Sequence, residues 1–185
     1  MMTELSLNVL DVAQNSVTAK ASLIEISVIV DTSADLLTII ISDNGCGMTK
    51  EQLENVTDPF FTTRTTRKVG LGIPFFKMAA ESTGGSFEIN SEPGVGTVVK
   101  AVFCLSNIDR MPLGDMTSTM TTLVTFNDNI DFLYRFMIDK REFVLDTKEF
   151  REVLGDVPFS TPEVREYIQD FLFENHKEIL NGVII

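Results

Sequence analysis

Asp11, Asn15 and Thr18 follow one another at spacings of four and three residues within the segment Leu10-Asp11-Val12-Ala13-Gln14-Asn15-Ser16-Val17-Thr18-Ala19-Lys20-Ala21. On a helix this spacing puts all three side chains on one face. One reading is a solvent-facing stripe. The other is a Mg²⁺–phosphate site, because Mg²⁺ takes oxygen ligands and draws only one or two of them from protein. The amide oxygen of Asn15 would ligate the ion without adding charge beside a triphosphate. The Asp11 carboxylate, one turn away, could orient or deprotonate a water.

A second group is Asp43-Asn44-Gly45-Cys46-Gly47-Met48, directly after an apolar run. A carboxylate at a strand end can accept a hydrogen bond from an amino group such as that of adenine. Gly45 and Gly47 would let a flat ring approach the backbone. Asn-Gly is also a common hairpin turn, so both readings stand. Further on, Gly70-Leu71-Gly72 precedes an apolar segment, and backbone N–H groups at a helix start favour phosphate. Arg64, Arg67 and Lys68 lie just upstream. They fit either a solvated loop or a cluster pairing with phosphate oxygens. Gly94-Val95-Gly96-Thr97 reads as a hairpin turn whose Thr97 could line a pocket. Phe60-Phe61 reads as a hydrophobic anchor for its loop rather than a stacking platform.

These groups need elements to hold them. Apolar positions at helical spacing predict a helix over Leu5 to Ala19. Leu23 to Val30 and Leu36 to Ser42, separated by the turn Asp31 to Asp35, predict a hairpin. Thr49-x-x-Gln52 is a capping-box signature opening a short helix to about Val56. Asp58 to Val69 has no clean period and predicts a long loop of the kind that often serves as a lid. A helix over Ile73 to Ser82 follows, with Pro74 in its first turn and Gly84-Gly85 ending it. Ser86 to Asn90 and Thr97 to Leu105 predict a second hairpin. The fold class is therefore α+β, a two-layer sandwich of a mixed sheet with helices on one face. Residues 108–119 read as a linker. Residues 120–185 read as a small α+β appendage, with strands over Thr121 to Phe126 and Phe132 to Asp146 and helices over Thr147 to Leu154 and Pro162 to Leu180. A unit of that size is near the lower limit for folding alone, so it is expected to lean on the main domain or on a second copy.

Composition narrows the function. A net charge of −12 speaks against wrapping nucleic acid, which needs a basic surface. No apolar run is long enough to span a membrane. The start, Met1 to Glu4, lacks the pattern of a signal peptide. Cys46 and Cys104 make no disulfide framework, which fits a reducing, cytoplasmic setting. The single histidine, His176, lies among Glu174, Lys177 and Glu178. It reads as an exposed helix position and not as a phosphoacceptor.

Taken in order, the segments resemble the ATP-binding domain of the GHKL superfamily (gyrase, heat-shock chaperone, histidine kinase, MutL). Leu10 to Ala21 resembles its N-box. Asp43 to Met48 resembles the first glycine box, and Asp58 to Arg64 the F-box of sensor histidine kinases. Gly70-Leu71-Gly72-Ile73 looks like the second glycine box, and Gly84-Gly85 with Pro93 to Thr97 the closing pattern. The resemblance covers Leu5 to Leu105 and implies the Bergerat fold over residues 1–107. It implies ATP and Mg²⁺ as ligands, with Asn15 on the metal, Asp43 on the adenine amino group and Thr97 beside it. Gly45 and Gly47, with Met48 and Thr18, belong to the implied base and phosphate pocket. Thr62 to Lys68, with Thr62, Thr63, Arg64, Arg67 and Lys68 toward the nucleotide, would form the lid, Phe61 would belong to the nucleotide site beside it, and Gly70, Leu71 and Gly72 would lie at the phosphates. Asp11 would be the catalytic carboxylate, yet gyrase and MutL relatives carry the longer Glu there. Nothing resembles a phosphoacceptor segment, so a stand-alone form is implied. The expected activity is transfer of the γ-phosphoryl group to water or to a partner protein bound through the appendage. The alternative is an ATP-dependent switch or scaffold with little turnover. A homodimer is compatible with either.

Overall fold

The computed structural model describes residues 3–58 and 71–185. In chain order the elements are α1 (Leu5–Thr18), β1 (Leu23–Asp31), β2 (Leu36–Asp43), α2 (Lys50–Asn55), α3 (Gly72–Ser82), β3 (Ser86–Glu92) and β4 (Gly96–Cys104). There follow α4 (Met116–Phe126), β5 (Asp131–Ile138), β6 (Arg141–Asp146), α5 (Thr147–Leu154) and α6 (Pro162–Leu180).

Strict alternation in β1 buries Ile24, Ile26, Val28 and Val30, and β2 does the same with Leu37, Ile39 and Ile41. Successive strand residues point to opposite faces, so all seven share one side of the sheet. Helices α1, α3, α4 and α6 cover that side and form with it a single buried core running from Leu5 to Ile185. This is the expected α+β two-layer sandwich with a mixed sheet and helices on one face. The short α2 carries the predicted capping box, with Thr49 Oγ1 accepting from Gln52 N and Gln52 Oε1 accepting from Thr49 N. Helix α3 ends where Gly84 takes φ +78°, a left-handed conformation that glycine adopts without a Cβ penalty.

The sheet has six strands in the order β3-β4-β2-β1-β5-β6. Strand β5 runs parallel to β1, pairing Leu23 with Asp131 through Val30 with Ile138. Residues beyond the linker thus extend the same sheet and lean on the N-terminal region. The chain also closes on itself around α1. The first N–H groups of a helix have no partner within it. Here Leu5 N donates to Pro112 O and Ser6 N to Leu113 O, while Leu113 N donates to Ile185 O.

Two expectations are corrected. Thr121 to Phe126 is helix rather than strand, part of α4, which begins inside the supposed linker at Met116. Its Thr-rich sequence favours strands locally, but Asp115 caps it by accepting from Ser118 N at 2.8 Å. Its buried residues Met116, Met120, Leu123 and Val124 follow the helical period. His176 is buried rather than exposed, at 6% exposure, on the inner face of α6.

Candidate functional site

Helix α1 presents Asp11, Asn15 and Thr18 to a cleft of about 290 Å³. Val12, Ala19, Ile41, Val56, Ile73 and Val99 give it apolar walls interrupted by the Ser16 hydroxyl, and Asp43, Cys46, Gly47, Met48, Gln52, Leu71, Gly72 and Thr97 complete it. The N-terminal helix face and the Asp43 segment, more than twenty residues apart in the chain, therefore meet at one cavity. Phe61, Thr62, Thr63, Arg64, Arg67, Lys68 and Gly70 lie outside the described residues, as does Phe60.

The sheet places Asp43 at the end of β2, directly opposite Thr97 of β4. Each carboxylate oxygen of Asp43 has a donor: Ser16 Oγ reaches Oδ2 at 2.6 Å and Gly45 N reaches Oδ1 at 2.9 Å. An ionised carboxylate has about four acceptor sites, so capacity remains for a ligand donor. Ser16 is buried and its role was not foreseen from sequence. The 27-residue separation between Ser16 and Asp43 hides the pairing in the sequence.

The glycines act on the protein itself. Gly47 has φ +65°, and a Cβ there would collide with the backbone of Glu92. A Cβ on Gly45 would come within 2.8 Å of Ala19. Gly45 is not part of the cleft lining; its N–H holds the Asp43 carboxylate. These glycines let the loop pack between α1 and the β3–β4 turn. Cys46 fastens it at both sides, its N–H donating to Ala19 O and its carbonyl accepting from Gly94 N. Asn44 staples the loop to the start of β1, its Oδ1 accepting from Ser22 N and Leu23 N at 2.9 Å each.

At the other end, Gly72 opens α3 so close to Asp11 that a Cβ there would run into the carboxylate. A negative side chain at a helix N-terminus is favoured by the helix dipole, so Asp11 has a structural role as well as an accessible one. Thr18 Oγ1 donates to Gln14 O at 2.8 Å, which commits its hydrogen and leaves an acceptor toward the cleft. No cluster of three or more His, Cys, Asp or Glu side chains that could hold a metal occurs among the described residues. No described helix is long and apolar enough to cross a membrane.

His176 does not line this cleft. Its Nδ1 is 2.9 Å from Thr117 Oγ1, its Nε2 is 2.8 Å from the buried Tyr134 hydroxyl, and the rings of Phe136 and Phe143 pack edge-on against it. Burial pulls its pKa from 6.5 down to about 4, only partly opposed by the Asp115 charge. Burial likewise pushes the Tyr134 hydroxyl well above its ordinary value.

Comparisons with known proteins agree with the fold. Residues 1–107 match the family described as histidine kinase-, DNA gyrase B-, and HSP90-like ATPase. The chain is 32% identical over 78 residues to a Bacillus subtilis protein named "Probable C4-dicarboxylate sensor kinase", covering 42% of this chain and 15% of that protein. It is 34% identical over 92 residues to the cell-division control histidine kinase PdhS of Brucella ovis, covering 41% of this chain and 9% of that one. It therefore corresponds to a small part of these relatives. The solved N-terminal domain of a DNA repair protein superposes with a TM-score of 0.54 at 17% identity, over 84% of this chain and 58% of that chain, a likeness of fold. With the match spanning more than half of its length, the chain belongs to the histidine kinase-, DNA gyrase B- and HSP90-like ATPase family.

Proposed function

We propose that the cleft between α1 and α3 binds Mg–ATP and that the protein transfers the γ-phosphoryl group to water or to a partner protein. The observation that carries this reading is the convergence of Asp11, Asn15, Asp43 and Thr97 in the lining of one cavity. Asp43, held by Ser16 and Gly45, would accept the adenine amino group, with Gly47 and Met48 along the base. Asn15 would ligate the metal. Two carboxylates line the cleft, and no Lys or Arg does so among the described residues. A polyphosphate there needs cations, which a bound Mg²⁺ supplies when present. Arg64, Arg67 and Lys68 are the nearest basic residues in sequence, and they would add charge-assisted bonds from the loop that precedes Gly70, Leu71 and Gly72. Asp11 would orient the acceptor for proton removal. The setting is proposed to be cytoplasmic, without nucleic acid as a partner.

One observation favours a second reading, an ATP-dependent switch. Helix α1, which carries Asp11 and Asn15, is tied at its N-terminus to Pro112 and Leu113, and Leu113 to Ile185. A shift of α1 on nucleotide binding would therefore reach residues 120–185, where a partner protein or a second copy could read it.

Incubation with γ-labelled ATP, with and without cell extract, separates the readings. Released phosphate supports hydrolysis, a labelled foreign band supports protein phosphorylation, and bound but unconverted ATP supports the switch. Failure to retain ATP under any condition rejects the nucleotide reading.

A further inference from the structure

Ser91 of β3 is not in the cleft, yet its hydroxyl joins three groups around it. Met48 N donates to Ser91 Oγ at 2.8 Å. Ser91 Oγ lies 2.9 Å from the Gly96 carbonyl oxygen and 2.8 Å from Thr97 Oγ1. A serine hydroxyl has one hydrogen to give and two lone pairs to fill. The Gly96 carbonyl can only accept, so the Ser91 hydrogen goes there. Met48 N–H fills one lone pair. The remaining contact closes only if the Thr97 O–H donates to Ser91, which uses the single hydrogen that Thr97 has. Thr97 Oγ1 then faces the cleft as an acceptor alone. Across the ladder from it stands Asp43, whose carboxylate is also an acceptor.

We propose that Ser91 is a positioning residue for base selection: by taking the Thr97 hydrogen it makes the Asp43–Thr97 rim acceptor-only, so that the cleft takes a purine with an amino group at C6 and rejects one with a carbonyl there. This rests on the nucleotide reading above and deepens it. An amino group brings hydrogens to both oxygens. A 6-oxo group brings a third oxygen with no hydrogen between, and an unpaired polar group of this kind discriminates more strongly than a change in shape.

The test compares ATP with ITP, which carries the 6-oxo group, and uses inorganic tripolyphosphate as a base-free control on the full chain. In Ser91→Ala the Thr97 O–H is released and can turn to donate to the 6-oxo group. The affinity for ITP relative to ATP should rise by about tenfold, the worth of one hydrogen bond, while tripolyphosphate binding stays as it was. Ser91→Thr keeps the hydroxyl and should keep the wild-type ratio. In a Thr97→Val background Ser91→Ala should leave the ratio where Thr97→Val put it, because the two residues act through one hydrogen. Equal weakening of ATP and ITP in Ser91→Ala would overturn the proposal and leave Ser91 as a brace for Met48. A ratio that moves as much in the Thr97→Val background would also overturn it. A wild type that binds ATP and ITP equally removes base selection but keeps the nucleotide site. A wild type that binds neither of them nor tripolyphosphate removes both.

Discussion

Replacing His176 with glutamine should flatten part of the acid dependence of stability. In the folded protein the imidazole is wedged between Phe136 and Phe143 and bonded at both nitrogens. Among the described residues, the Tyr134 hydroxyl is fully buried and has only His176 as a hydrogen-bond partner. Its hydrogen therefore goes to Nε2, and Nδ1–H donates to Thr117. A second proton would sit between Nε2 and Tyr134, turn a good pair into two opposed donors, and place a charge in an aromatic core. The folded pKa accordingly falls to about 4 from 6.5. A lowered folded pKa for a base means the unfolded chain takes up the proton first. The stabilisation is whole above pH 6.5 and is lost progressively as pH falls from 6.5 to about 4. At pH 5 the unfolded histidine is almost fully protonated and the folded one about a tenth so, a cost of roughly 2 kcal/mol, approaching about 3 at pH 4. Urea unfolding of wild type and His176→Gln at pH 7.5 and pH 5 reads this directly. The wild type should lose about 2 kcal/mol more than the variant over that interval, since carboxylate titrations are common to both. Equal losses, with His176→Gln destabilised at pH 7.5 as a core substitution requires, would refute the assignment of a neutral buried imidazole.

Three expectations concern the cleft. ATP with Mg²⁺ should raise the melting temperature, and Asn15→Ala should remove most of the Mg²⁺-dependent part of that shift; an unchanged shift rejects Asn15 as the metal ligand. Asp43→Asn should weaken ATP by about ten- to a hundredfold while leaving tripolyphosphate nearly untouched, and equal losses would mean that Asp43 does not read the base. Asp11→Asn should abolish ADP formation and spare ATP binding, so turnover that persists in a variant still able to bind would take Asp11 out of the chemistry.

Much of this architecture is written in local periodicity. The alternation of Ile24 to Val30 and of Leu37 to Ile41 is enough to place two strands and their inner face. The four-residue step from Asp11 to Asn15 is enough to put both side chains on one helix face. What escaped reading lies in contacts between distant segments. Ser16 and Ser91 are ordinary polar residues until Asp43 and Thr97 come beside them. Helix α4 was hidden by its threonines, whose β-branched side chains favour strands until packing against α1 and α6 overrides them. His176 was masked by charged neighbours, although a signal was present: Val164, Ile168, Leu172, His176 and Ile179 form one buried line along α6. A polar residue standing in such a line is more often a bonded core group than a surface one.

The side-by-side run of β5 along β1 has a consequence for anyone who would isolate the part that matches the family. Cutting after residue 107 removes the neighbour of Leu23 to Val30. It leaves the main-chain donors and acceptors of an Ile- and Val-rich strand open to the nearest similar strand, which is a template for aggregation. It also frees the two amides at the head of α1 from their carbonyl partners. Such a fragment should precipitate or self-associate, and its failure to hold nucleotide would then report a missing sheet neighbour rather than a defective pocket.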